Sequence, residues 1–411
     1  MTPTTRRFAS ALPLLASLLL LLLPVTAQAQ SVVWTREFGT TRDDVALDAV
    51  ANSTDVYIVG ESQGNLADQQ QHGGGDAFLR RTAGGGAVRW TRFLSTGQFD
   101  TANSVALAGP EVVIGGRTGA VGQGLVAAYD TSGNLMWAHG FGSPNGLDSV
   151  GSVAADATGI YVAADVSKRV QPLTNHGGAD VVLQRYDLSG TLIWAKEIGT
   201  KGNDTSGNVT LDGAGSLYTS FTTTGAIPGK TNAGFTDVVV RRYDLDGNAI
   251  WTRQFGTTSE EEEFSAVADA GGVYVGGTTR DPNGTAGTQF LDTLLFKFRR
   301  KGELAWTRTF GSPGDDYLFD LSLSGRHLFA AGETSDTLPG QTTQGEGDAF
   351  LEEYQPDGTP DWLDQIGTTG SDVGHGVGAS NGRAFLVGYT NGAFPGLINH
   401  GADDAFVVKV A

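Results

Sequence analysis

Seven acidic residues recur at a near-constant interval along the 411-residue chain: Asp44, Asp100, Asp148, Asp204, Glu261, Asp316 and Asp372. Each follows a tryptophan by ten or eleven positions, the tryptophans being Trp34, Trp90, Trp137, Trp194, Trp251, Trp306 and Trp362, and no tryptophan lies outside the series. A second acidic series, Asp76, Asp180, Asp237, Asp292, Asp348 and Asp404, opens apolar runs such as DAFL and DVVV. Carboxylates arranged in a ring supply the oxygen ligands that hard cations take, so the first chemistry these acids suggest is binding of a divalent cation, with calcium the candidate, or of a basic ligand. The competing reading is that each acid accepts hydrogen bonds from the amides of its own turn, which accounts for one per repeat. A residue repeated sevenfold more often serves the repeat than a unique site, so the turn reading is preferred and no cofactor is expected.

Other chemistry has less support. His72, His176 and His400 stand in HGGGD, HGGAD and HGADD, four residues before an acid of the second series. In a glycine-rich loop that spacing shapes a turn rather than a zinc site. No nucleophile elbow, zinc-protease helix motif or Walker sequence occurs, and no catalytic residue is assigned. A two-carboxylate mechanism depends on the distance between carboxyl groups, which spacing does not set.

The elements that position these residues follow from the period. The tryptophans are 56, 47, 57, 57, 55 and 56 residues apart. Four positions after each comes Phe38, Leu94, Phe141, Ile198, Phe255, Phe310 or Ile366, and about 23 after comes Tyr57, Val113, Tyr161, Tyr218, Tyr274, Phe329 or Phe385. Each period reads as four short strands bounded by Gly, Asp and Asn, at roughly 45–51, 55–61, 76–82 and 87–94 in the first repeat. In the fourth strand, Trp251, Arg253 and Phe255 share a face, with the Arg stem between the rings and its head expected in water or on a carboxylate. Seven four-stranded units bury both faces of every sheet by standing radially about an axis. The predicted fold is all-β, a seven-bladed β-propeller over residues 30–411. Its ring closes when the fourth strand SVVWTREFG pairs with the third strand DAFVVKVA, hiding two sheet edges. Strand direction then puts the loops into the first and third strands on one face. Both acidic series fall there, with Glu260 to Glu263 adding charge, so that face is predicted to be acidic.

The landmarks W-x-R-x-F-G, VYVGG, G-x-D-A-F-L and Y-D-x-x-G-N-x-x-W resemble the bacterial β-propeller repeat family of SBBP type over essentially all of residues 30–411. The second repeat departs from it, being 47 residues long with Gln123 at the acid position. The resemblance implies exported propellers, often parts of surface or secreted proteins, with no common activity. A looser similarity to quinoprotein propellers rests on a turn such as Asp187, Gly190 and Trp194 and implies no cofactor site.

Residues 1–29 read as a secretory signal peptide: Arg6 and Arg7, an apolar run from Leu14 to Leu23, and an Ala27-Gln28-Ala29 cleavage site. No other stretch is apolar and long enough to span a bilayer. Without the leader the chain carries 25 basic and 45 acidic side chains, a net charge of −20, which disfavours nucleic acid and anionic membranes as partners. The absence of cysteine excludes disulfides and a lipoprotein anchor. The expected protein is a monomeric, non-catalytic binding or scaffold module, secreted, periplasmic or on the cell surface, presenting an acidic face to a protein or glycan. The alternative is a propeller enzyme acting on carbohydrate or using a quinone.

Overall fold

The computed structural model describes residues 30–66, 69–119, 123–143, 146–280 and 290–411; the expected leader lies outside them. Among the described residues there are twenty-eight strands in seven four-stranded antiparallel sheets. Blades 1 to 6 span residues 44–94, 101–141, 149–198, 204–255, 261–310 and 316–366. Blade 7 is built from residues 372–410 and closes the ring with Val32–Phe38, which pairs Thr35 with Val408 and Phe38 with Ala405. No helix among the described residues is long and apolar enough to cross a membrane.

Burial follows the radial arrangement. The second and third strands are sandwiched between neighbouring blades and alternate little, since both their faces are covered. Val56, Tyr57, Ile58 and Val59 are each fully buried. The clusters between blades combine, for example, Tyr57, Val59 and Leu79 of blade 1 with Ile114, Leu125 and Tyr129 of blade 2.

The repeated tryptophan segment forms a clasp between blades. Trp34, Trp90, Trp137, Trp194, Trp251 and Trp306 each donate Nε1–H to a carbonyl in the turn between the third and fourth strands of the next blade, at 3.0 to 3.3 Å. The basic residue two positions on crosses the same gap. Arg92 Nε reaches Gly133 O at 2.9 Å, Arg253 Nε reaches Gly302 O at 2.7 Å and Arg308 Nε reaches Gly358 O at 2.6 Å, each guanidinium lying over its own indole. This corrects the expectation that the Arg head ends in water or on a carboxylate: the carbonyls of the neighbouring turn lie within reach and need a donor. The turn glycine is required twice. Gly190 has φ +85° and Gly358 +79°, and a Cβ on either would lie 2.7 Å from the tryptophan ring of the preceding blade.

Blade 7 has no turn between its third and fourth strands, because residues 32–38 supply the fourth. Trp362 therefore lacks the carbonyl its six counterparts use, and its Nε1 donates to Glu353 Oε2 of its own blade.

Candidate binding site on the axis

The seven acids of the first series lie at the mouths of the innermost strands, but none faces solvent: each is 0 or 1 % exposed. They are held by the Thr or Ser six residues after each tryptophan. Asp44 Oδ2 accepts from Thr40 N and Oγ1 at 2.6 and 2.8 Å, Asp204 Oδ2 from Thr200 at 2.7 and 3.1 Å, and Asp372 Oδ2 from Thr368 at 2.6 and 3.0 Å. Asp100, Asp148, Glu261 and Asp316 make the same bond with Thr96, Ser143, Thr257 and Ser312. In the second series, Asp76, Asp180 and Asp404 accept from the amides of His72, His176 and His400, so these histidines contribute backbone to turns.

The two series meet at blade junctions on either side of a glycine five residues after the tryptophan, as at Gly199 and Gly367. A Cβ on Gly199 would lie 2.0 Å from Asp180 Oδ1 and 3.1 Å from Asp204 Oδ2; on Gly367 the distances are 2.0 Å to Asp348 Oδ1 and 3.0 Å to Asp372 Oδ2. Burial pushes Asp44, Asp180, Asp204 and Asp372 above the usual carboxylate range, and for Asp44, Asp180 and Asp372 the neighbouring acid adds to the shift.

What does face the axis is a residue the period conceals. Each innermost strand carries a bulge thirteen to fourteen residues after its tryptophan, for instance between Ala46 and Asp48 and between Leu318 and Asp320. A bulge adds one unpaired residue and re-aims side chains. Leu47, Asn103, Gly151, Phe319 and His375 are thereby turned into an axial cavity of about 240 Å³. The next residue stitches the ring together by accepting a backbone N–H from the following blade. Asp48 Oδ2 accepts from Val105 at 2.8 Å, Ser104 Oγ from Val153 at 3.1 Å, Ser152 Oγ from Val209 at 3.3 Å, Ser265 Oγ from Leu321 at 3.1 Å and Asp320 Oδ2 from Val377 at 2.7 Å. Between blades 7 and 1 the corresponding residue is Gly376, where a Cβ would lie 2.7 Å from Asp48 Cα. Ala49 N turns instead to Asp48 Oδ1 at 2.6 Å.

The cavity is not sevenfold in its chemistry. Asp48 is pushed well above the usual range by burial and then by the charge of Asp320, while burial pushes Asp320 up to about 6. The pair therefore keeps a proton further up the pH scale than two free aspartates would. His375 is pushed down to about 4 by burial and is neutral at physiological pH. Its ring lies 4.8 Å from Phe319 and 5.6 Å from Tyr389, and Phe319 stacks on Tyr317 at 5.7 Å. These aromatics form a continuous path from the cavity towards the strand ends.

At those ends the carboxylates form an arc over blades 5, 6, 7 and 1. Tyr317 feels the charges of Asp315, Glu333 and Glu262, and Tyr389 those of Glu333 and Asp403. Asp403 and Glu61 both feel Asp43. Burial pushes Glu61 up to about 7, despite Arg117 nearby, and raises Glu333 and Asp403 as well. None of the arc residues was singled out in the sequence except Glu262, within the Glu260–Glu263 run. One signal could have found the residues beside the bulges: the position fourteen or fifteen after the tryptophan is Asp48, Ser104, Ser152, Asn208, Ser265 or Asp320 in six repeats, a polar residue at a recurring place in the innermost strand.

No family model matches the chain. Regulatory protein FlaEY of Caulobacter vibrioides is 25% identical over 353 residues, covering 74% of this chain; the chain spans 37% of the length of FlaEY. Among solved structures, a protein from Bacteroides caccae is 12% identical over 78% of this chain and 93% of its own, with a TM-score of 0.40. The Pan2 WD40 domain of Neurospora crassa is 9% identical over 69% of this chain and 85% of its own, also with a TM-score of 0.40. The chain is a seven-bladed β-propeller with repeated blades.

Proposed function

We propose that this chain works outside the cytoplasm as a non-catalytic binding module, receiving a cationic group of a protein partner at the acidic, aromatic-lined end of its axis. The observation that supports this most is the one-sided arc of Asp43, Glu61, Glu262, Asp315, Glu333 and Asp403 around Tyr317 and Tyr389. Carboxylates beside aromatic faces suit an ammonium or guanidinium group, which gains from the ring quadrupole and the charge together. Partly desolvated carboxylates that lack a full complement of cations gain most when a cation arrives. The Caulobacter relative is named a regulatory protein, a role in keeping with binding.

The test is fluorescence anisotropy with a labelled oligo-arginine peptide. Saturable binding that weakens with salt is expected, with the double variant Glu61→Gln/Glu333→Gln losing at least about tenfold, or about 1.4 kcal/mol. Asp246→Asn, at an acid whose side chain is 84% exposed in a turn of blade 4, serves as control and leaves affinity unchanged. Equal losses in the two variants, or equal binding of an oligo-glutamate peptide, would overturn the reading.

A further inference from the structure

The blade corner where the second strand begins, the third ends and the fourth starts brings three positions together in every repeat. In blade 1 these are Asp55, Arg81 and Arg89. Their charges close on one another, with Arg81 Nη2 at 2.7 Å from Asp55 Oδ2 and Arg89 Nε at 3.2 Å from Asp55 Oδ1. At the third-strand position, four further blades carry Arg185, Arg242, Lys297 and Lys409, and blade 2 has Ala128. Blade 6 departs at all three positions at once: His327, Glu353 and Asp361 occupy the corner. One imidazole nitrogen of His327 and one oxygen from each carboxylate all lie within 4.8 Å of one another.

We propose that this corner is a binding site for one divalent first-row transition ion, with His327 Nδ1, Glu353 Oε1 and Asp361 as the protein ligands and water completing the shell. Three arguments support it. The first is charge: where blade 1 balances one acid with two arginines, blade 6 gathers two carboxylates and an imidazole, leaving a local deficit that a dication fills. The second is orientation. Trp362 Nε1–H holds Glu353 Oε2, and Gln355 Nε2–H holds Asp361 Oδ2, while Glu353 Oε1 meets His327 Nδ1 directly; a metal would take over that contact and add the other Asp361 oxygen. Donors of this kind outside the coordination shell fix how a ligand presents itself. The third is accessibility: Glu353 is 6 % exposed, whereas the His327 side chain is 43 % exposed, so the corner has an open side for entry and for water. A nitrogen ligand beside two oxygens favours zinc, nickel or copper over calcium or magnesium.

The site also lies where the ring needs a fastening. Trp362 has no neighbouring turn to clasp and is tied to Glu353 instead. An ion on Glu353 would hold the residue that anchors this tryptophan, so binding should register as stability.

The experiment is calorimetric titration of the untagged protein with zinc chloride, with thermal unfolding of the same samples. One equivalent is expected to bind, the unfolding midpoint to rise with zinc, and calcium to leave both unchanged. His327→Gln changes a half-buried side chain and Asp361→Asn an exposed one, both outside the apolar core clusters. Each should weaken binding at least tenfold and remove the zinc-induced rise while the metal-free midpoint stays put. No saturable uptake up to millimolar zinc, or unchanged stoichiometric binding in both variants, would overturn the assignment.

Discussion

Replacing Glu352 by glutamine changes one proton-binding group in the interior of blade 6 and leaves its shape almost intact. Glu352 is 3 % exposed, and its side-chain partner among the described residues is the Tyr354 hydroxyl, which donates to Oε2 at 2.6 Å. Burial pushes Glu352 from the ordinary 4.5 up to about 8, so the folded protein holds this proton at neutral pH. The sign of the effect follows from the direction of the shift. A carboxyl raised in the folded state gives its full contribution when protonated in both states and withdraws stability as pH climbs from the unfolded value towards the folded one. Each pH unit in that window costs about 1.4 kcal/mol, so raising pH from 5 to 8 should cost wild type about 4 kcal/mol through this group alone. Blade 3 contains the comparison: Gln184 stands in the equivalent place and accepts from the Tyr186 hydroxyl at 3.0 Å. Urea unfolding followed by tryptophan fluorescence at pH 5 and pH 8 measures the difference. Other carboxyls titrate in both proteins and cancel, so Glu352→Gln should be similar to wild type at pH 5 and more stable than it at pH 8. Parallel pH dependence in the two proteins would refute the claim that this carboxyl is buried and protonated.

Two further substitutions test the repeat itself. Asp204→Ala removes the acceptor for both Thr200 donors and should cost about 1–3 kcal/mol by urea unfolding, whereas Asp204→Asn keeps an acceptor, relieves the repulsion with Asp180 and should be close to neutral. A loss as large in the Asn variant would mean that the negative charge itself, and hence a bound cation, matters at this junction. Gly190→Ala meets both a φ of +85° and the Trp137 ring at 2.7 Å, and should cost about 2–4 kcal/mol. Gly213→Ala, at a φ of +62° with nothing near its Cβ position, should show the smaller backbone penalty of about 1 kcal/mol.

The ring was legible in the sequence because its interactions repeat. Trp90, Arg92 and Gly133 recur in register since each blade must clasp the next in the same way, and a period of that kind survives in the letters. The strand limits agree to within a residue: the first repeat was read as 45–51, 55–61, 76–82 and 87–94, and the strands run 44–51, 55–62, 76–83 and 88–94. The repeated acids were equally visible, but their spacing could not distinguish an exposed ring from buried turn acceptors. That depends on whether Thr40 and its counterparts close over them. The axial residues were hidden for a different reason. A bulge breaks strict alternation, so the side on which Asp48 or His375 falls is set by one extra residue that a period-two reading assigns to the wrong face.

Departures from the repeat are therefore the more informative positions for function. An interaction made in the same way by every blade is spent on holding neighbours together, and it offers a ligand seven equivalent surfaces with no reason to choose one. A ligand smaller than the ring touches a sector, and selectivity needs that sector to differ. The differences gather in blades 6 and 7: Tyr317, Phe319, His375 and Tyr389 on the axis, and His327, Glu353 and Asp361 at the outer corner. These blades flank the closure, where the turn that Trp362 would clasp is missing and the repeat pattern has already been broken. A missing clasp at one junction leaves the positions around it free to take other side chains, and the same freedom places the axial and corner clusters in one sector of the molecule.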